Sequence, residues 1–187
     1  DTKMAKKLMA DAGYPDGFKM TIHGPNDRYI NDAKIAEALA QMLNRVGIEA
    51  SVETMPKAVY FKRASRGGPN KSPEFSFMLL GWGAGSGEAS SPLKALLHTY
   101  DKSKGLGAAN RGRHSDAEVD KLVKQALATV DADARGALLA KATEKAVGEN
   151  YGVIPMHYQV NTWAAKAGYK YLPRTDERTI VTGLSKN

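Results

Sequence analysis

The sequence predicts an α/β domain in which helices flank a mixed sheet. Three observations support this class. Several segments repeat apolar residues with helical spacing, strand-like runs lie between them in the first half, and two adjacent helices follow in the second half. Helices that alternate with strands usually cover the faces of one sheet. We therefore expect a single sheet of mixed strand order with helices packed against it.

The first elements alternate between helix and strand. A helix is predicted over residues 3–12 and a strand over residues 18–23. The strongest helical pattern covers residues 32–46, where Asn31 is a suitable N-cap and Gly47 a suitable C-cap. The apolar positions of this helix are Ile35, Leu39, Met42, Leu43 and Val46.

Four further segments complete the first half. Residues 48–55, "IEASVETM", alternate as a strand does, and a short helix is predicted over residues 59–64. Residues 66–74, "RGGPNKSPE", are rich in Gly, Pro and Ser, which is typical of a surface loop. Residues 75–80, "FSFMLL", form an unbroken apolar run, which is typical of a buried strand.

The second half begins with a short helix over residues 91–100 and an aperiodic loop over residues 101–114. Ser115 and Glu118 then have the spacing of a capping box, which predicts the start of a helix. One face of this helix is apolar, with Val119, Leu122, Val123, Ala126, Leu127 and Val130.

A second helix follows the first directly. Either Asp131 or Asp133 is a suitable start, and the helix is predicted to extend to about Val147. Two adjacent helices with so short a connection predict a helical hairpin.

The tail changes its period once more. Residues 151–165 and 169–181 have the pattern of short strands. Pro155 lacks the N–H that a central strand must donate, so we expect it at a sheet edge or a bulge.

The composition limits the possible chemistry. The 187 residues include no cysteine, which excludes thiolate catalysis, zinc sites with sulfur ligands and disulfide bonds. The net charge of +7 raises the possibility of a basic nucleic-acid-binding domain. The Lys and Arg residues are dispersed among acidic ones, as on an ordinary solvated surface, and we therefore expect no nucleic-acid partner.

The buried run of residues 75–80 ends in Gly81-Trp82-Gly83. Ligands of open α/β sheets bind outside the carboxyl ends of the strands, where this motif would place an indole and exposed main-chain groups. An extended ligand could pair with that main chain as an added strand. Alternatively, Trp82 covers the core and the glycines only form a turn.

Motifs of catalysis and of metal binding are missing from the sequence. Residues 83–87 read Gly-Ala-Gly-Ser-Gly, which does not match the G-x-S-x-G nucleophile elbow, and no phosphate-binding loop with its lysine is present. The four histidines are far apart and lack the spacing of metal ligands. We therefore expect no catalytic residue, no metal and no cofactor.

Five segments together resemble the C-terminal lobe of the solute-binding proteins of peptide-type ABC transporters, family 5, which includes dipeptide- and oligopeptide-binding proteins. The resemblance extends over essentially the whole chain in the order and spacing of its parts. The segments are "AKKLMADAGYPDGF", "KIAEALAQMLNRVGIEASVETM", "FSFMLLGWGAGSGEAS", "NRGRHSDAEVDKLVKQALATVDADAR" and "VIPMHYQVNTWAAK".

The resemblance implies a periplasmic-binding-protein-like lobe of a two-lobed protein of roughly 500 residues. Residues 1–167 would form the C-terminal ligand-binding lobe, and the strands of residues 168–187 would return toward an N-terminal lobe. Such proteins act in the periplasm or elsewhere outside the cytoplasm, and their signal sequence lies in the N-terminal part. They close over a small-molecule or peptide ligand by a hinge and deliver it to the permease subunits of an ABC transporter.

The resemblance also implies where the ligand binds. In peptide-binding members the loop after the Gly-Trp pair lies along the ligand main chain, which points here to Trp82, Gly83, Ala84 and Gly85. Those members hold the peptide ammonium with an aspartate three residues after the tryptophan, and this position is Gly85 here. Glu88 is a candidate to replace it, and its alternative role is that of a solvated loop carboxylate.

Asn110 and Arg113, which precede the capped helix, are secondary candidates for polar or anionic ligand contacts; alternatively, they only fix that loop. The resemblance favours a binding protein of an importer over a stand-alone interaction module, and an enzyme is not expected.

Overall fold

The structure is a computed structural model that describes residues 1–85, 87–174 and 176–186. Its helices are α1 Thr2–Asp11, α2 Asp32–Asn44, α3 Lys57–Arg66, α4 Ser90–Pro92, α5 Ala117–Ala128 and α6 Ala132–Thr143. Its strands are β1 Lys19–Pro25, β2 Glu49–Met55, β3 Tyr169–Tyr171 and β4 Leu184–Lys186. Short π-helical segments continue two of the helices, at Leu93–Leu97 and Glu144–Glu149, and 3₁₀ turns form at Pro69–Lys71 and Val181–Gly183.

The first half is built on a β-α-β unit. β1 and β2 pair in parallel from Lys19–Glu49 to Pro25–Met55, and α2 connects them. Alternation along β1 places Ile22 inward, where it is fully buried against Ala36 of α2. The polar residues of the two strands face the other way and pair across them, as in the hydrogen bond between the Thr21 and Ser51 hydroxyls at 2.9 Å.

Residues 77–79 lie along the free side of β1. The His23 N–H donates to the Phe77 carbonyl at 3.1 Å, and the Leu79 N–H donates to the His23 carbonyl at 2.8 Å. The next donor along β1 in such a parallel ladder would be Pro25, which has no N–H. The Tyr60 hydroxyl donates to the Leu79 carbonyl instead, at 2.6 Å. The strand predicted over residues 75–80 is therefore a short bridged segment rather than a full strand.

The start of α2 differs from the prediction. Asn31 precedes the helix in the left-handed conformation, with φ 58°, and its side chain makes no capping hydrogen bond. The buried carboxylate of Asp32 instead accepts from the backbone N–H groups of Arg28 at 2.9 Å, Tyr29 at 3.0 Å and Ala33 at 2.9 Å. The chain before the helix thus curls around one carboxylate, which takes the role predicted for Asn31.

The predicted helical hairpin is confirmed, and its first cap is corrected. Ser115 is not the N-cap of α5, because the Asp116 carboxylate accepts from the N–H groups of Glu118 at 2.8 Å and Val119 at 2.9 Å. Asp131, one of the two predicted starts, caps α6. The two helices enclose a second core made of Leu93, Leu97, Val119, Val123, Ala126, Leu139, Ala142 and Ala146.

The tail forms less strand than its pattern predicts. Residues 151–165 contain no strand, so Pro155 lies at neither a sheet edge nor a bulge. β3 and β4 pair with each other in an antiparallel hairpin, from Tyr169–Lys186 to Tyr171–Leu184. The described strands therefore form two separate two-stranded sheets, one parallel and one antiparallel, rather than the single sheet predicted. Several apolar side chains of the tail are exposed. The most exposed of those that the structure describes are Tyr151, Ile154, Tyr158, Val160, Leu172 and Val181.

In the ranges described, the helices are all too short or too polar to cross a lipid bilayer. The short helix predicted over residues 91–100 forms from Ser90 to Leu97, and a 3₁₀ turn interrupts the predicted loop of residues 66–74. The loop over residues 101–114 is confirmed.

The cap of α5 gives a direct test of this fold. Asp116→Ala leaves two helix N–H groups without their acceptor, so we expect the melting temperature to fall by roughly 2–4 °C. Ser115→Ala removes only an exposed hydroxyl contact with Thr99 and should change the melting temperature by less than about 1 °C. Differential scanning calorimetry of both variants compares them, and an equal or larger effect of Ser115→Ala contradicts the assignment of the cap.

Candidate ligand-binding site

A shallow crevice of about 310 Å³ lies where residues 77–80 leave the sheet. The turn before α2, the middle of α3, the chain after Leu79 and the loop before α5 each contribute to its wall. This position, outside the carboxyl end of a parallel strand, is where ligands of α/β sheets bind. We call it the Trp82 crevice, and its lining residues are Arg28, Tyr29, Phe61, Leu80, Gly81, Trp82, Gly83 and Arg111.

Trp82 forms an exposed part of the wall. Trp82 is 45% exposed, so a large part of it is open to contact from outside the lobe. Both predicted roles of the indole, contact with a ligand and cover of the core, stay predictions. Gly83, Ala84 and Gly85 follow as an exposed loop, and a Cβ built on Gly83 or Gly85 meets no atom within 4 Å. The main chain beside the indole is consequently open to close approach by a ligand.

Tyr29 holds the chain at the base of this loop. Its hydroxyl donates to the Gly81 carbonyl at 3.2 Å. Its ring lies where a side chain at position 81 would be, because a Cβ built on Gly81 comes within 2.8 Å of the Tyr29 Cε1 atom. A side chain at position 81 would therefore require the Tyr29 ring to move.

Beneath the crevice, Tyr60 is almost fully buried and its hydroxyl donates to the Leu79 carbonyl. Burial raises the pKa of Tyr60 well above its ordinary value, an effect that Tyr29 reinforces and the Arg111 cation opposes. Tyr60 therefore remains a neutral donor and fixes the point at which the chain leaves the sheet.

Glu88, the candidate for an ammonium anchor, lies apart from the residues that line the crevice. Its carboxylate accepts from Arg135 Nε at 3.1 Å and from the Ser90 hydroxyl. These contacts connect it to α4 and α6. Its role toward a cationic ligand group stays a prediction.

Asn110 and Arg113 make contacts within their own loop. Asn110 is buried, donates to the carbonyls of His98 at 3.0 Å and His114 at 2.7 Å, and accepts from the His114 N–H at 3.0 Å. Arg113 is exposed, and its guanidinium lies 4.6 Å from the centre of the Tyr100 ring. Neither residue lines the Trp82 crevice. These contacts are those of residues that fix the loop, and their contact with a ligand stays a prediction.

Two arginines in the crevice were missed by sequence reasoning. Arg111 reaches α3, where its Nε donates to the Ser65 hydroxyl at 3.0 Å and its guanidinium lies 5.3 Å from the centre of the Phe61 ring. Arg28 lies with its guanidinium 5.0 Å from the centre of the Tyr29 ring. The sequence showed Arg111 only as one of several dispersed basic residues, and nothing in the local pattern distinguished it from Arg113.

Comparison with known proteins decides the family. Residues 1–104 match the family model described as bacterial extracellular solute-binding proteins, family 5 middle. The chain belongs to this family. This confirms the resemblance found in the sequence and the membership of the chain in the peptide-type group.

Curated relatives of family 5 are similar over most of this chain. The glutathione-binding protein GsiB of Escherichia coli strain K12 is 30% identical over 158 residues, which cover 83% of this chain and 30% of the relative. Heme-binding protein A of Haemophilus influenzae is 28% identical over 148 residues, which cover 76% of this chain and 25% of the relative. The chain thus spans about a quarter to a third of the length of these relatives.

Solved structures confirm the periplasmic-binding-protein-like lobe. Haemophilus influenzae OppA in complex with the peptide RPPGFSPFR aligns with a TM-score of 0.71 and 25% identity, over 90% of this chain and 31% of that one. HbpA2 from Haemophilus parasuis aligns with a TM-score of 0.78 at 22% identity, over the whole of this chain and 36% of that one. The second likeness shows the fold alone.

The contact between Gly81 and Tyr29 predicts that alanine at position 81 destabilises the fold more than alanine at position 83. Gly81→Ala forces its new methyl group against the Tyr29 ring and should lower the free energy of unfolding by about 1–3 kcal/mol. Gly83→Ala, two residues away in open space, should be nearly neutral. Urea denaturation measures both variants.

A second substitution tests the cause. In Gly81→Ala combined with Tyr29→Ala, the clash is gone, so the effects of the two substitutions should not add. Additive effects, or equal losses for Gly81→Ala and Gly83→Ala, would contradict the proposed close approach.

Proposed function

We propose that this chain is the ligand-binding part of an extracytoplasmic substrate-binding component of an ABC importer, which captures a peptide or peptide-like solute. The observation that carries the proposal is the Trp82 crevice, with its exposed indole and open main chain, which lies outside the carboxyl ends of β1 and of the segment that pairs with it. Membership in the extracellular solute-binding family supports it. The relatives named for glutathione and for heme indicate that both peptide and non-peptide ligands occur among similar proteins.

Capture in this proposal is reversible and non-covalent. An extended solute lies along Gly83, Ala84 and Gly85 and exchanges main-chain hydrogen bonds with them, as a strand added to an edge does. The Trp82 indole supplies a large apolar contact at low conformational cost. No bond of the solute is made or broken, in agreement with relatives that are named for what they bind.

Closure requires a second lobe. We assign residues 1–167 to the ligand-binding lobe, and residues 168–187 to a segment that returns toward the N-terminal lobe of the longer protein. The exposed apolar side chains of the tail, such as Tyr158 at 97% and Val181 at 87% accessible, suit a surface that another lobe covers. The two lobes then close on the solute by a hinge, which removes it from water.

Membership in the family supports a setting outside the cytoplasm. The protein works in the periplasm or elsewhere outside the cytoplasm, with its signal sequence in the N-terminal part of the longer protein, and it hands the solute to the permease subunits. A stand-alone interaction module or a basic nucleic-acid-binding domain gains no support from the relatives, which are named as binding proteins for small solutes.

The indole provides the first test. In the full-length protein, Trp82→Ala should weaken solute binding by about 2 kcal/mol or more, because it removes a central aromatic contact. Trp163→Phe serves as the control, since Trp163 lies in the tail and donates to the Thr179 hydroxyl at 2.9 Å. Isothermal titration calorimetry with the solute that co-purifies with the protein compares both variants. A change within experimental error for Trp82→Ala would contradict the proposed site.

The contribution of the second lobe to binding gives the second test. The 187-residue chain alone should bind the same solute at least about tenfold more weakly than the full-length protein, because closure buries most of a ligand between two lobes. Calorimetry on the two proteins under the same conditions measures the ratio. Equal affinity would show that the second lobe is not needed for capture.

A further inference from the structure

The outer edge of β2 is open in the described part of the chain. β1 pairs with β2 on one side, and no strand among the described residues pairs with it on the other. The Glu49 N–H donates to the Phe18 carbonyl at 2.8 Å, so the odd-numbered residues of β2 turn their backbone groups toward β1. The backbone groups of Ala50, Val52 and Thr54 therefore point outward, where another strand could pair with them.

One side chain already occupies part of this edge. Asn44 is the last residue of α2, and its Nδ2 donates to the Ala50 carbonyl at 3.3 Å. Its Oδ1 accepts from the Ala50 N–H at 3.0 Å. The Asn44 carboxamide thus makes both of the hydrogen bonds that Ala50 could exchange with a neighbouring strand. Val52 and Thr54 remain for an incoming strand.

The most extensive pairing between two copies of this edge needs Ala50. In an antiparallel pair centred on Val52, Val52 of one copy lies opposite Val52 of the other, and Ala50 of each copy lies opposite Thr54 of the other. Opposite residues of this kind exchange two hydrogen bonds. With Asn44 bound to Ala50, both outer pairs are lost, and the central pair alone is too little to hold two strands together.

Charge opposes the arrangement that avoids Ala50. If the strands shift so that Val52 lies opposite Thr54, the Glu53 residues of the two copies lie directly opposite each other, where like charges are destabilising. Arg63 is shared between Glu53 and Glu74, so it does not cancel both carboxylates. A further shift in the same direction brings in Pro56, which has no N–H to donate.

We propose that Asn44 guards the β2 edge and keeps a second copy of this chain from adding its own β2 strand there. The side chain that does this is exposed and lies at the end of a helix, so it needs no place in the core. The ligand has no part in this role, because Ala50 lies near the start of β2 and the Trp82 crevice lies outside the carboxyl ends of the strands.

Sedimentation velocity on the full-length protein tests the guard, at protein concentrations of about 1 to 100 μM. Asn44→Ala frees the backbone of Ala50 and should form dimers at a concentration at least about tenfold below that of the unsubstituted protein. Asn44→Ala combined with Thr54→Pro should again be monomeric. Proline at this position removes an N–H that β1 does not use, and it prevents the pairing of an added strand.

Asp131→Ala controls for a loss of stability, which could itself cause association. It removes the cap of α6, where Asp131 accepts from the Ala134 N–H at 2.8 Å, and it leaves β2 unchanged. This variant should remain monomeric although its melting temperature falls by roughly 2–4 °C.

Hydrogen exchange in the unsubstituted protein provides a measurement that does not depend on the folding of any variant. The Ala50 amide, bound by Asn44, should exchange at least about tenfold more slowly than the outward amides of Val52 and Thr54. Equal exchange rates would overturn the guard, and so would a monomeric Asn44→Ala protein. Association that persists with Thr54→Pro, or that appears equally in Asp131→Ala, would assign it to unfolding and also overturn the proposal.

Discussion

The position at which the chain leaves the sheet determines the geometry of the whole site. Residues 77–79 pair with His23 of β1, and the ladder ends there because Pro25 has no N–H to donate. The hydroxyl of the buried Tyr60 donates a hydrogen bond to the Leu79 carbonyl, which replaces the missing N–H of Pro25. Without this hydrogen bond a buried carbonyl would lack a partner, which is costly in the interior. Gly81 and the residues after it are therefore released at a defined point, next to Tyr29.

The arginines of the lobe have two kinds of partner. Arg63 bridges Glu53 and Glu74 and, through its hydrogen bonds, lowers the pKa of both carboxyl groups. Arg28 and Arg111 instead lie against aromatic rings in the described part of the chain. The pairing of Arg63 joins α3 to β2 and to the chain before residues 77–79.

Both halves of the lobe contribute to the crevice, and Arg111 connects them. The β-α-β unit and the helical hairpin have separate apolar cores, and Arg111 extends from the loop before the hairpin to Ser65 on α3. Asn110 fixes that loop through three hydrogen bonds to the main chain. A residue that the sequence suggested as a ligand contact thus holds the loop from which Arg111 extends, and its contact with a ligand stays a prediction.

The family, the α/β class and the regular elements with long periodic patterns were all predictable from the order of the amino acids. The alternation of β1 and β2, the apolar stripe of α2 and the paired helices α5 and α6 were all predicted, because their spacing is a local property that packing then uses. The glycine pair around Trp82 at the end of an apolar run was also recognised without a structure, and Trp82 lines a crevice there. Its contact with a ligand stays a prediction.

The contacts between polar groups, in contrast, depend on the folded chain. Asp116 rather than Ser115 caps α5. The Ser115 hydroxyl contacts Thr99 instead, and the helix therefore starts one residue later than the sequence pattern predicts. Likewise, Arg28 and Arg111 are 83 residues apart in the numbering of the sequence, and the strand-like tail lacks strands where no partner lies beside it. Capping, ion pairing and strand formation all depend on neighbours that are distant along the chain, and a local pattern contains no information about them.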